Sequence, residues 1–450
     1  MMWVLLLIMV LGMVYLGSRI FGNFFNHVSV FSLVWFGGLV ITLMNLSGLQ
    51  TDWGVKEWSV FLIFGVCYVI GALAPLLWSK IPKVDTKNKG ILQLPQLMLG
   101  KLYRVLLFTY ILTFIVFTLE VIDYGGIPLI SPAGFTAYAD FGIKYIHYFI
   151  SNLDTLFILS YVIIRTKQIS KRKSIVLVVA MLISILIFIG IGHRLPLIVL
   201  ALGCLIVEIV FLSKMSLRKL GLVVGVGLII ALVGFGYIGN IRTREGGSDY
   251  IRRTGQYKGV SQLICGASCS GENSFASVID IIDNTNVIAW PYLYLVTSYE
   301  NSLRQIYSVQ NYTYGLRTLY PVWVFTFTKQ LADPVIERAT GDYSLVYKNF
   351  TASNAVGEFY ADFGFWGLTI VPFLLGILLT VLYSHVVEKR DIIICVIYAI
   401  SFMCTLYLCF TNLFSFPPFI FKLLYLIIFG YVIKMRSPMV QKLLNTKLAS

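Results

Sequence analysis

Long apolar runs recur along most of the chain and are separated by short polar stretches. A run of about 20 apolar residues is long enough to cross a bilayer as a helix. The first run is apolar from its first residues and lacks a basic start, so we expect a span there and not a cleaved signal peptide. The eleven runs cover residues 2–16, 28–46, 59–78, 105–121, 145–164, 174–192, 196–213, 221–238, 367–387, 392–410 and 419–432. The pattern predicts an all-α polytopic integral membrane protein with about eleven transmembrane helices.

Composition supports this prediction. Hydrophobic residues make up 58% of the chain and charged residues 12%, whereas soluble domains carry about 25% charged residues. This excludes a soluble globular enzyme. The net charge of +14 does not indicate nucleic-acid binding, because the basic residues fall in short stretches between the apolar runs.

The basic residues also predict the orientation. Strict alternation of spans places five basic stretches on one side: residues 80–104, 165–173, 214–219, 389–390 and 434–447. Excess Lys and Arg in short loops marks the cytoplasmic side, so the N-terminus is expected outside. The chain then divides into transmembrane helices 1–8 (residues 1–238), a large extracytoplasmic loop (239–365), and helices 9–11 with a cytoplasmic tail (366–450).

The long outer segment differs from an ordinary linker. Seven of its ten basic residues are Arg, whose planar fork of donors suits phosphate better than the point charge of Lys does. Two aromatic, apolar stretches, 287–299 and 319–327, are too short to span. We expect short interfacial or partly buried helices there.

Arg194 and His193 occupy a tight turn predicted to face outward. Arg194 either snorkels to lipid headgroups or binds an anion, and the positive-inside bias favours the anion. His193 is either a solvated polar residue or a general base. Arg242 and Arg244 follow the predicted eighth span, two residues apart. They belong either to an ordinary polar loop or to an anion-binding site.

A second group of candidates lies later in the segment. In a helix, Glu300 and Arg304 would share one face at i, i+4. They form either a local ion pair or a base beside a phosphate-binding Arg, with Arg317 following.

The stretch 354–367 places Glu358, Tyr360 and Asp362 at the predicted outer boundary of the ninth span. It is interpreted either as a capped, anchored helix start or as catalytic machinery.

Other residue types narrow the chemistry. The four His do not cluster and no phosphate-binding Gly-rich loop occurs, so we expect neither a metal nor a cofactor. Five Cys lie in apolar spans and are interpreted as packing residues. Cys265 and Cys269 share the outer segment and are a disulfide candidate.

Three stretches, 192–197, 292–303 and 357–364, together with the one large outer loop, resemble the bacterial Wzy-type polymerases of O-antigen or capsule repeat units. The resemblance implies a GT-C-like, metal-independent glycosyltransferase of the bacterial inner membrane, with its active site facing the periplasm or cell exterior. Its implied partners are undecaprenyl-pyrophosphate-linked oligosaccharides, membrane lipids and a chain-length regulator.

On this interpretation the outward Arg residues bind the pyrophosphate, and Glu300 or His193 accepts the proton of the acceptor hydroxyl. Two alternatives remain. An O-antigen ligase would use the same donor with another acceptor. A lipid-linked oligosaccharide flippase would place ionisable groups near mid-span.

Overall fold

The computed structural model describes residues 2–43, 50–78, 82, 92, 96–130, 141–192, 194–212, 225, 289–341, 345–346 and 351–435. Across these ranges the chain is helical and contains no strand, which confirms the predicted all-α class. In chain order the helices are α1 (Met2–Phe21), α2 (His27–Leu43), α3 (Val55–Leu73), α4 (Gln96–Tyr124), α5 (His147–Ser151), α6 (Leu153–Arg165), α7 (Lys171–Ile191), α8 (Arg194–Val207), α9 (Ala289–Ser308), α10 (Tyr320–Phe325), α11 (Lys329–Thr340), α12 (Ala355–Phe363), α13 (Phe365–Lys389), α14 (Ile392–Tyr407) and α15 (Pro417–Met435).

Ten of the eleven predicted runs coincide with described helices. Six helical segments in the described ranges are long and apolar enough to cross a membrane: Val55–Leu77, Met98–Tyr124, His147–Arg165, Lys171–Ile191, Leu195–Leu212 and Phe365–Lys389. Four further apolar helices are shorter: Leu6–Phe21, His27–Leu43, Ile392–Tyr407 and Pro417–Ile433. The eighth run lies outside the described residues except for Gly225, so the total of eleven stays a prediction.

The chain forms two compact units whose segments alternate in sequence. Unit 1 comprises Met1–Thr86, Ser213–Ser384 and Ser401–Pro417. Unit 2 comprises Lys87–Leu212, His385–Ile400 and Pro418–Ser450. The three-part division predicted from the sequence describes the order of spans and loops across the membrane, whereas these two units describe which segments pack together.

Aromatic side chains of α2, α3 and α9 form the core of unit 1. The indole nitrogen of Trp35 donates to the Phe61 carbonyl at 3.0 Å, and the Tyr299 hydroxyl donates to the Trp35 carbonyl at 3.3 Å. A Cβ on Gly71 would lie 2.0 Å from the Phe373 carbonyl oxygen. Only glycine lets the backbones of α3 and α13 approach this closely, as small residues do between membrane helices.

Helix α9 is mostly buried although many of its side chains are polar, which confirms a partly buried helix in the stretch predicted at 287–299. The buried side chains of α9 include Ser298, Glu300, Asn301, Ser302 and Gln305. Several of them bond to loop backbone: Ser298 Oγ donates to the Cys409 carbonyl at 2.8 Å, and Asn301 Nδ2 donates to the Ala352 carbonyl at 2.8 Å. Buried loop backbone needs such partners, and α9 supplies them.

Unit 2 contains buried charges within its apolar helices. Lys422 of α15 donates to the carboxylate of Asp154 on α6, and both side chains are almost fully buried. Nearer the other end of α6, Arg165 and Tyr161 both donate to Glu208. Glu208 lies in a π-helical turn, Glu208–Leu212, that follows α8.

Candidate functional site

Helix α12 positions two of the predicted site residues. It begins after Asn354, whose side-chain oxygen accepts from the Val356 amide at 3.1 Å, as an N-cap does. It ends at Gly364, whose φ of +59° suits glycine. The capped helix start is therefore confirmed. Glu358 and Asp362 stand four residues apart, on the same face of α12.

Asp362 anchors the turn that follows α9. Its carboxylate is fully buried. It accepts hydrogen bonds from the Thr313 hydroxyl, from the Arg317 amide at 3.1 Å, and from both the amide and the hydroxyl of Thr318. The backbone around Arg317 is therefore attached to the last turn of α12.

The Arg317 side chain is held by Gln305 of α9. In the carboxamide orientation that satisfies both ends of Gln305, its oxygen accepts from the two terminal nitrogens of Arg317 at 2.6 and 2.9 Å, and its nitrogen donates to Ser353 Oγ at 3.0 Å. Among the described residues Arg317 makes no ion pair. Its positive charge is thus oriented without being neutralised by direct contact.

Among the described residues, one carboxylate oxygen of Glu358 accepts hydrogen bonds and the other accepts none. Oε2 accepts from Asn412 Nδ2 at 2.9 Å and from Ser415 Oγ at 2.8 Å. Within the described ranges, Oε1 has no hydrogen-bond donor. Burial raises the pKa of the Glu358 carboxyl, and the nearby charge of Arg317 partly offsets that rise. A carboxylate with a raised pKa and an unoccupied oxygen can accept a proton.

Arg317 and Glu358 face the same cleft, whose volume is about 300 Å³. Helix α11 contributes two further carboxylates to the wall, and aromatic and apolar side chains complete it. The described lining is Arg317, Tyr320, Asp333, Ile336, Glu337, Glu358, Ser415, Phe416 and Pro417. The cleft combines a cation, carboxylates and aromatic rings, a set that can contact the anionic, hydroxyl and apolar surfaces of one ligand.

Glu300, predicted as a base, has a different environment. It lies on α9, so the predicted helical spacing from Arg304 is confirmed. Its carboxylate accepts from the Thr51 amide at 3.0 Å, from the Thr51 hydroxyl at 3.0 Å and from Trp53 Nε1 at 2.7 Å. Burial raises the pKa of Glu300, and the bonds to Thr51 and Trp53 and the charge of Arg304 lower it. Both oxygens are engaged in holding the 51–53 segment.

Two other predicted residues lie apart from the described cleft lining. Arg304 Nη1 donates to the Leu345 carbonyl at 3.3 Å. Tyr360 packs edge-on against Tyr312, with ring centroids 6.2 Å apart. The structure therefore brings Arg317 to the cleft with Glu358, while Arg304 is the neighbour of Glu300.

Six residues singled out in the sequence cannot be compared with this geometry. His193, Arg242 and Arg244 lie outside the described residues, as do Cys265 and Cys269. Arg194 begins α8, but its side chain is also outside the description. The part that Arg194, Arg242 and Arg244 play in pyrophosphate binding therefore stays a prediction.

The described part of the long segment contacts turns that alternation assigns to the same side. Glu300 binds residues 51 and 53, between α2 and α3, and Tyr307 donates to Glu57. Glu358 binds Asn412 and Ser415, between α14 and α15. These contacts agree with the predicted alternation of the spans.

Several important residues were missed by sequence reasoning. Gln305, Asn412 and Ser415 are neutral polar residues with no distinguishing spacing, so no signal could have found them. Asp154 and Lys422 could have been found, because each interrupts a predicted apolar run, and ionisable residues inside spans are rare and costly.

The helices define a multi-pass α-helical membrane protein, and the charged cleft is a candidate site carried by the segments between its spans. The family model described as O-antigen polysaccharide polymerase Wzy matches residues 1–437. The chain belongs to this family, whose members polymerise lipid-linked oligosaccharide repeat units at a membrane. Comparison with curated proteins and with solved structures gives no match.

Proposed function

We propose that the cleft between Arg317 and Glu358 is the active site of a polymerase that joins undecaprenyl-pyrophosphate-linked repeat units. The growing glycan is moved as a block from its carrier onto one incoming unit. A single observation carries this proposal: among the described residues, an oriented guanidinium without an ion-pair partner and a carboxylate oxygen without a hydrogen-bond donor face one cleft.

In the proposed reaction, the acceptor hydroxyl oxygen attacks the anomeric carbon of the donor sugar. The bond from that carbon to the pyrophosphate oxygen breaks, and its electron pair leaves with undecaprenyl pyrophosphate. Glu358 accepts the hydroxyl proton through Oε1. Arg317 stabilises the negative charge that develops on the leaving group, and removing one such donor typically costs about 10²–10³ in rate.

The cleft has a cation on one wall and carboxylates on another, so we place different parts of the substrate at different walls. Arg317 is the one cation in the described lining, beside the carboxylates Asp333, Glu337 and Glu358. We place sugar hydroxyls against the acidic wall of α11, where carboxylate oxygens accept hydrogen bonds. The pyrophosphate then lies at Arg317. Binding of the pyrophosphate by Arg194, Arg242 and Arg244 stays a prediction.

Glu358 replaces Glu300 as our preferred base, because the oxygens of Glu300 already accept three hydrogen bonds. Glu300 and His193 stay alternative predictions for that role. We further propose metal-independent chemistry, a GT-C-like arrangement, residence in the bacterial inner membrane with the cleft facing outward, and cooperation with a chain-length regulator.

Reconstitution tests the proposed function. Purified full-length protein in liposomes is incubated with undecaprenyl-pyrophosphate-linked repeat unit, and glycan length and released carrier are measured. The proposal predicts a ladder of products and one carrier pyrophosphate released per linkage. Transfer of glycan only when a different final acceptor is added would indicate a ligase. Movement of the unit across the bilayer without a new linkage would indicate a flippase, and either result would overturn the proposal.

A further inference from the structure

The second carboxylate of α12, Asp362, is not among the described residues that line the cleft. It is fully buried, and all the hydrogen bonds to its carboxylate come from the turn of residues 313–318. These donors include two backbone amides, those of Arg317 and Thr318. The hydrogen bonds to Asp362 therefore hold the backbone that carries Arg317.

The same turn is attached to α12 through backbone bonds as well. The Thr313 amide donates to the Ala361 carbonyl at 3.0 Å, and the Tyr314 amide donates to the Asp362 carbonyl at 2.9 Å. The chain reverses through left-handed conformations at Tyr314 (φ 49°) and Gly315 (φ 93°). A non-glycine residue in that conformation is uncommon, so the turn depends on its surroundings to keep this shape.

Helix α12 thus presents Glu358 to the cleft and holds the turn that carries Arg317. Glu358 presents the oxygen that has no donor in the described part of the chain, and one helical turn later Asp362 fixes the backbone of Arg317. The Arg317 side chain is then oriented by Gln305. The placement of Arg317 relative to Glu358 therefore depends on the contacts between its turn and α12.

We propose that Asp362 is a positioning residue, which sets the distance between Arg317 and Glu358 by holding the 313–318 turn against α12. This inference rests on the proposed function of the cleft. A carboxylate is required because its two oxygens accept from four donor groups. An Asn would keep the shape but turn an NH₂ toward donors. Small misplacements of a catalytic group, of about 1 Å, can cost about 10² in rate.

A double-mutant cycle in the full-length protein tests the inference. Asp362→Asn, Arg317→Ala and the double variant are compared for turnover with lipid-linked repeat unit, with thermal unfolding recorded for each. We expect Asp362→Asn to lower turnover by about 10² in the native background and to add almost nothing in the Arg317→Ala background. Inorganic pyrophosphate, used as a product-like inhibitor, should inhibit Asp362→Asn more weakly than the native protein.

Two further variants test whether a loss of turnover comes from misfolding. Thr318→Val removes one donor to Asp362 while keeping the backbone amide, so we expect a smaller loss that also vanishes in the Arg317→Ala background. Thr405→Val removes another buried hydroxyl, one that donates to the Ser401 carbonyl within α14, and should leave turnover and pyrophosphate inhibition unchanged.

The outcomes separate this inference from the proposed function. If Arg317→Ala itself keeps native turnover, the proposed function fails. If Arg317→Ala is impaired but Asp362→Asn or Thr318→Val multiplies that loss, only the positioning role is overturned. Native turnover and native pyrophosphate inhibition in a folded Asp362→Asn protein would overturn it as well.

Discussion

Glu358 and Asp362 lie one helical turn apart on α12, yet their carboxylates have opposite surroundings. Asp362 is fully buried, and its oxygens accept from the turn that carries Arg317. Glu358 reaches the cleft and keeps one oxygen without a donor in the described ranges. Asp362 is therefore suited to holding the turn and Glu358 to accepting a proton, although the sequence pattern does not distinguish them.

Arg317 should be needed for turnover but not for folding. We expect Arg317→Ala to lower kcat by about 10²–10³, because a donor to the leaving group is lost. Arg317→Lys keeps the charge without the planar fork and should fall between Ala and the native protein. Arg338→Ala is the matched control, since Arg338 is exposed on α11 and does not line the cleft. Equal activity of Arg317→Ala and Arg338→Ala would contradict the assignment.

The pH dependence of kcat/KM should report Glu358. The base must lose its proton, so activity should rise with pH through the pKa of Glu358, which burial raises above its ordinary value. The positive charge of Arg317 lowers that pKa. Arg317→Gln should therefore move the acid limb to higher pH, whereas Arg338→Gln should not move it. An acid limb that stays in place or moves to lower pH in Arg317→Gln would be inconsistent with this pairing.

The buried pair in unit 2 should contribute to stability. Lys422→Met leaves the buried Asp154 carboxylate unpaired, and breaking such a pair typically costs about 3–5 kcal/mol. Asp154→Asn combined with Lys422→Met should recover part of that loss, because no unpaired charge remains. Thermal unfolding in detergent measures both, with Lys171→Met, an exposed residue at the start of α7, as control. If the double variant is no more stable than Lys422→Met, the stability lost in Lys422→Met does not come from the unpaired charge of Asp154.

The predicted orientation can be tested at an exposed position. Tyr314 is 81% exposed, so a Tyr314→Cys variant lacking the other reactive thiols should react with a membrane-impermeant maleimide added to intact cells. A cysteine at Lys389, in a predicted cytoplasmic stretch, should react only after the membrane is opened. The reverse pattern would place the cleft on the cytoplasmic side and remove the basis for the proposed reaction.

The sequence predicted the helices well because long apolar runs have few other stable solutions in a membrane. Arg317 and Glu358 were found for a similar reason, since charges in an outer segment stand out by their chemistry. The choice of base was not predictable, because it depends on which oxygens are already bonded. Asn412 binds Glu358 from 54 residues away and Lys422 binds Asp154 from 268 residues away, and such pairings follow from packing and not from local pattern.

The central claim is that the Arg317–Glu358 cleft is the catalytic centre, and comparing two isosteric variants tests it most directly. Glu358→Gln and Glu300→Gln are purified, matched for folded protein, and incubated with lipid-linked repeat unit while product length is followed. Glu358→Gln removes the proposed base, a loss of about 10²–10⁴ in rate, so the repeat unit should stay almost unextended. Glu300→Gln weakens the bonds to Thr51 and Trp53, so it should lower the unfolding temperature but still yield the ladder. A full ladder from Glu358→Gln, with none from folded Glu300→Gln, would contradict the account and assign the base to Glu300.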